Sequence, residues 1–147
     1  MATFVKINDF VEDLAHKVHD LANDTLQVAL SNTAPGSETS DPTADGNGVL
    51  TNVSEISYTN LSSQVITTNS SGQTGGTYSL SLNDLTLSAT GTVAQFRYIY
   101  VFNQTAASDE LIAHFDYGSA LDLASGESLT IDFGANGAGA GNLFTLS

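Results

Sequence analysis

Phe96-Arg97-Tyr98-Ile99-Tyr100-Val101-Phe102 decides the fold, because aromatic and β-branched side chains occupy both alternating sets of positions in it. A strand that is apolar on one face lies at a surface, whereas one that is apolar on both faces fits between two covering layers. The stretch is therefore expected to be the central, deepest strand of the domain, within residues 95–103.

Outward from it the chain keeps a period of two. Leu26, Val28 and Leu30 alternate with Thr25, Gln27 and Ala29, the pattern of a strand with one buried face. Further strands are expected near residues 53–58, 64–68, 77–82, 85–89, 111–117, 119–123, 128–133 and 143–146. Turn residues separate them: a Ser/Gly-rich hairpin connection over residues 69–76, Asn83-Asp84, and Ser125-Gly126-Glu127. Short strands with this punctuation predict a mainly β fold, an antiparallel β-sandwich of jelly-roll type. Residues 32–48 hold both prolines, Pro35 and Pro42, with Gly36, Gly46 and Gly48, and are expected to form a long exposed loop. Residues 134–141, Gly-Ala-Asn-Gly-Ala-Gly-Ala-Gly, read as a loose connection before the last strand.

Only the N-terminal region departs from this period. Phe10, Val11, Leu14, Ala15, Val18 and Leu21 follow the spacing of one helical face, while Asp9, Glu12, Asp13, His16 and Asp20 fall away from it. One amphipathic α-helix over residues 8–21 is expected, with Asn8 as N-cap, acidic residues at its positive end and Asn23-Asp24 as the stop. Its apolar face covers either the chain's own sandwich or a partner. The division that follows is an N-terminal arm with helix over residues 1–24 and a β-sandwich domain over residues 25–147.

Composition narrows the function. Sixteen Asp and Glu stand against 3 Lys and Arg, a formal charge of -13. Lys6, Lys17 and Arg97 lie far apart. Nucleic-acid binding needs clustered cations to displace counterions, so neither nucleic acid nor an anionic membrane surface is expected as a partner. The chain has no cysteine, hence no disulfide framework or thiolate site. Its longest apolar runs are too short to span a bilayer, and residues 1–6, with neither a basic segment nor an apolar stretch, are not expected to act as a secretory signal.

The residue patterns that carry chemistry are sparse. Glu12, His16 and His19 recur at one helical turn, which would offer ligands to a metal; the plainer reading is two solvated histidines. His114, beside Ile112 and Asp116 on a strand, reads as a rim histidine before it reads as a catalytic base. No Gly-x-Ser-x-Gly elbow occurs. Asp109 with Glu110, or Asp116 with Asp122, would serve as a glycosidase pair, but there is no Trp to hold a sugar ring. Asp41 to Gly48 is oxygen-rich like a calcium loop, without EF-hand spacing. The expected catalytic, cofactor and metal residues are therefore none, and an enzyme is not expected.

Several phrases resemble small virion proteins of tailed bacteriophages, in particular capsid decoration, or cement, proteins. They are Phe10-Val11-Glu12-Asp13-Leu14-Ala15-His16, residues 26–35, Phe96-Arg97-Tyr98, Phe115-Asp116-Tyr117-Gly118-Ser119 and residues 126–133. The resemblance implies a non-enzymatic role in the particle, usually as an oligomer. The expectation is a decoration protein on the capsid exterior, made in the host cytoplasm, that binds the major capsid protein as a homo-oligomer, with a trimer favoured. A tail, fibre or baseplate protein with host-binding loops is the alternative, and a polysaccharide-acting enzyme the remote one. Thr3, Phe4 and Val5, short and β-prone, are the expected partner-binding residues, adding a strand to a neighbour.

Overall fold

The two-faced stretch lies in β7 (Val93–Asn103), in the middle of a five-stranded sheet. β2 (Leu26–Ser31) and β8 (Leu111–Leu123) flank it, with β1 (Phe4–Lys6) beyond β8 at one edge and β3 (Val65–Ile66) beyond β2 at the other. Every pairing is antiparallel. The computed structural model describes residues 4–134 and 140–147. Its other sheets have the order β10-β5-β4 and β6-β9, from β4 (Thr68–Thr74), β5 (Thr77–Asn83), β6 (Leu85–Ser88), β9 (Ser128–Ile131) and β10 (Ala140–Leu146). Among the described residues the protein is thus mainly β and antiparallel, as the period of the sequence predicts, with one α-helix, N-terminal and short.

Register explains why β7 carries apolar groups on both faces. On one face Val28 stands opposite Val101 and Leu30 opposite Ile99; on the other, small Ala29 makes room for the ring of Tyr100. Phe96, Tyr100 and Val101 are all fully buried. The expected exposed loop is so only in part: most of its residues are exposed or half-buried, but its Pro35, Pro42 and Gly48 are buried, and the carboxylates of Glu38 and Asp41 lie near enough to Tyr100 to help raise its phenol pKa, after burial itself. Two N–H groups anchor this loop, Gly46 and Gly48, which donate to the Asp9 carboxylate at 2.9 and 2.8 Å.

The helix α1 is shorter than its apolar period. It spans Phe10–Ala15, has Asp9 rather than Asn8 as its N-cap, and ends where Lys17 takes a left-handed conformation (φ 65°). The Val18 N–H then bonds back to the Asp13 carbonyl (2.9 Å) and the Lys17 N–H to that of Leu14 (3.3 Å), the paired bonds of a Schellman stop. Leu21 still enters the core, from a turn. Ile7, Phe10 and Leu21 share one apolar cluster with the strands, and the Phe10 ring meets Phe144 of β10 edge-on at 5.3 Å. The helix therefore covers its own sheets, burial of a Phe being worth about 1.5–3 kcal/mol.

Three other expectations change. Residues 53–58 form no strand; they run beside β2 with an isolated Ser31–Glu55 bridge, and the Tyr58 hydroxyl accepts the Leu30 N–H (2.9 Å) that a regular ladder would have taken. The hairpin connection shrinks to Gly75-Gly76, both at positive φ, and most of residues 69–76 belongs to β4, an edge strand of Ser, Thr, Asn, Gln and Gly. The two strands expected across residues 111–123 are one, β8, which bulges between its pairings of Asp116 with Tyr98 and Leu121 with Phe96, around Gly118 at φ 98°. The expected loose connection falls mostly outside the described residues.

Candidate partner-binding edge

Three residues put β1 at the margin of the large sheet. Phe4 pairs with Phe115, Val5 with His114 and Lys6 with Ala113, and among the described residues the order of strands leaves the far side of β1 without a neighbour in its sheet. Side chains of a strand alternate, so the predicted binding residues separate. Phe4 turns inward and packs edge-on against Phe115 (5.9 Å between centroids) and beside Phe144 (6.3 Å). Val5 turns to the opposite face and is 41% exposed. Thr3 lies outside the described residues. Phe4 is thus an internal anchor, and of the predicted residues Val5 is the one that is exposed, with Lys6 exposed beside it.

Beside Phe4 lies a hollow of about 410 Å³, lined chiefly by Ile99, Phe115, Tyr117, Leu129 and Phe133. Tyr117 sits on the β8 bulge and is 48% exposed. Next to it Asp116 accepts two bonds from Arg97, at 2.7 and 2.8 Å, and a third from the Gly118 N–H at 2.8 Å. The guanidinium, followed by that backbone bond, holds the Asp116 carboxyl down to about 2. Arg97 also lies 5.3 Å from the centre of the Tyr98 ring. One of the chain's three cations is therefore already committed.

The other candidate groups do not converge. Glu12 and His16 face each other across 3.5 Å on the exposed side of α1, but His19 leaves that face and is buried, a correction to the expectation of two solvated histidines. It follows the Lys17 turn, which rotates the chain after the helix. No group of three or more His, Cys, Asp or Glu able to hold a metal occurs among the described residues. Asp41, in the calcium-like loop, accepts from the N–H and hydroxyl of Thr43, both at 2.9 Å. Glu110 accepts from Ser108, and Asp116 is taken by Arg97, so each proposed carboxylate pair has a member with a local bonding role. His114 is less of a rim residue than expected: it packs 5.6 Å from the Tyr100 ring, burial lowers its pKa, and its buried Nδ1 has no hydrogen-bond partner among the described residues.

A buried polar cluster lies where the N-terminal segment meets the β7–β8 turn, and sequence reading missed it. Asn103, wholly buried at the end of β7, donates through Nδ2 to Asp24 (2.6 Å) and shares a 3.1 Å contact with His19 Nδ1. Its Oδ1 accepts from the N–H groups of Thr105 and Ala106 (3.0 and 3.3 Å). The residues are far apart in sequence, so the only signal was an Asn closing an apolar strand. Comparison with known proteins adds nothing to these observations: no family model, no curated protein and no solved structure matches the chain.

Proposed function

We propose that this chain is a non-catalytic structural protein of a tailed-phage particle, a decoration protein that binds the outer face of the major capsid shell as a homo-oligomer, a trimer being the simplest closed arrangement. The observation that carries the reading is the margin of β1, where Phe4 anchors a short strand to the core and Val5 is exposed beside a backbone edge that has no partner strand among the described residues. Such an edge accepts a further strand through main-chain hydrogen bonds. The charge of -13 supports an exterior seat, away from packaged nucleic acid of the same sign. Repetition over a symmetric shell converts a modest interface into firm attachment. In this reading the five-stranded sheet is one layer of a sandwich and the smaller sheets the other, supported by the contact of Phe144 of β10 with Phe4 of β1.

One observation favours a tail or fibre seat instead: the β4–β5 hairpin presents an exposed, uncharged edge of Ser, Thr, Asn, Gln and Gly, suited to hydrogen-bonding a host glycan. Co-sedimentation separates the two. The purified chain is expected to pellet with empty shells that lack it, and Val5→Asp to weaken that binding. Retention on host cells without affinity for shells would overturn decoration in favour of the tail reading.

A further inference from the structure

The His19–Asn103 contact fixes a protonation state by geometry. Asn103 Oδ1 is claimed by two backbone N–H donors and its Nδ2 by the Asp24 carboxylate, so the amide cannot be turned around. The nitrogen facing His19 Nδ1 is therefore a donor, and Nδ1 has to accept. It can do so only as neutral imidazole with its proton on Nε2. The ring has no solvent-exposed side-chain surface and packs 5.2 Å from Phe10.

We infer that neutral His19 is an acid-labile latch that fastens the N-terminal segment to the β7–β8 turn, and that its protonation releases residues 16–24 while the central sheet stays folded. A proton added at Nδ1 would point at the Asn103 N–H and break the contact that bridges residues 84 positions apart. The charged groups around the ring come from every element packed on it. Asp13 of α1 lies 4.0 Å from Nε2, Asp24 and Asp20 belong to its own turn, and Glu110 acts from the β7–β8 turn. Lys17 and Tyr78 line the same hollow, of about 530 Å³. The carboxylates favour a charged ring, but burial outweighs them and lowers the His19 pKa. The sign follows: with the folded value below the ordinary 6.5, the latch is at full strength above pH 6.5 and weakens as pH falls through the folded value. Asp13, whose pKa burial raises above 3.8, acts in the opposite sense.

Amide hydrogen exchange of the full chain at pH 7.5, 6.5, 5.5 and 4.5, corrected for intrinsic rates, tests this. Protection of the Val18, Asn23 and Asp24 amides is expected to fall by up to about tenfold per pH unit below 6.5, while the Val28 and Val101 amides hold theirs. His19→Gln is expected to flatten that fall, and His114→Gln to retain it. Unchanged protection in the wild type, or the same fall in His19→Gln, overturns the latch. Should His19→Gln not fold, NMR titration of the wild-type ring decides: a midpoint below 6.5 supports the latch, and one at or above 6.5 overturns it.

Discussion

The Gly48 N–H donates to Oδ2 of Asp9 at 2.8 Å, joining the start of the helix to a loop that follows the second strand. The other carboxylate oxygen accepts from Gly46, so one side chain serves two backbone donors of a loop with no regular partner. A Cβ at Gly48 would stand 2.9 Å from Asp9 Oδ2 and 3.1 Å from Ile7 Cγ2. Asp9→Ala strips both donors of their acceptor and is expected to cost about 1–3 kcal/mol. Gly48→Ala is expected to destabilise in the same direction through the clash. Urea unfolding checks both, and midpoints equal to wild type would contradict the pinned loop.

Lys17 occupies the position after a helix where glycine is usual, at φ 65°. Because a left-handed residue with a Cβ costs roughly 1–2 kcal/mol, part of which glycine returns as chain entropy, Lys17→Gly is expected to raise stability by about 0.5–1 kcal/mol. Thermal unfolding at pH 7.5 measures it.

The same residue shows where the sequence was legible and where it was not. Apolar spacing from Phe10 through Leu21 marks that face only in part: Phe10 and Leu21 are buried, Leu14 and Val18 half-buried, and Val11 and Ala15 exposed, because side-chain pattern is blind to φ and does not register that the backbone reverses at Lys17. The apolar character of β7 carries its own placement, since both faces are read directly from residue type, whereas β2, expected to bury one face, also buries Ala29 and Ser31 on the other because β3 and β7 enclose it and both residues are small. Strand β4 was invisible for the converse reason: an exposed edge has no apolar set to alternate. Residues 53–58, expected as a strand, form no ladder: their apolar residues at 53, 56 and 58 break the period of two, and the Tyr58 hydroxyl, itself bonded to Glu55 at 2.6 Å, occupies the β2 edge. At the candidate site the β-prone character of Phe4 and Val5 was readable, whereas their opposite orientations required the pairing with Phe115 and His114. The Asn103 cluster depends on contacts between distant segments and left no local trace.

Tyr100 is fully buried with a hydroxyl that has no hydrogen-bond partner among the described residues. An unmet buried hydroxyl costs about 1–3 kcal/mol, so Tyr100→Phe is expected to leave stability unchanged or raise it by up to ~1 kcal/mol. A loss of several kcal/mol on urea unfolding would reveal a bond that this account lacks.

The Arg97–Asp116 pair sets an acid limit. With the Asp116 pKa held at about 2 against an ordinary 3.8, its contribution is present above 3.8 and lost as pH falls toward 2. Both side chains are more than a third exposed, so solvent screening keeps the effect small. Arg97→Gln is expected to return the Asp116 titration, followed by carboxyl NMR, toward 3.8; an unmoved midpoint would contradict the assigned cause.

The central claim is a seat on the outside of a capsid, reached through the β1 edge. An image reconstruction of the whole particle containing this chain tests it most directly. The account predicts density for the fold on the outer shell surface, around symmetry axes, with Val5 and the free side of β1 against a capsid subunit or a neighbouring copy. Density at the tail alone, or on the shell with β1 facing solvent, would contradict it.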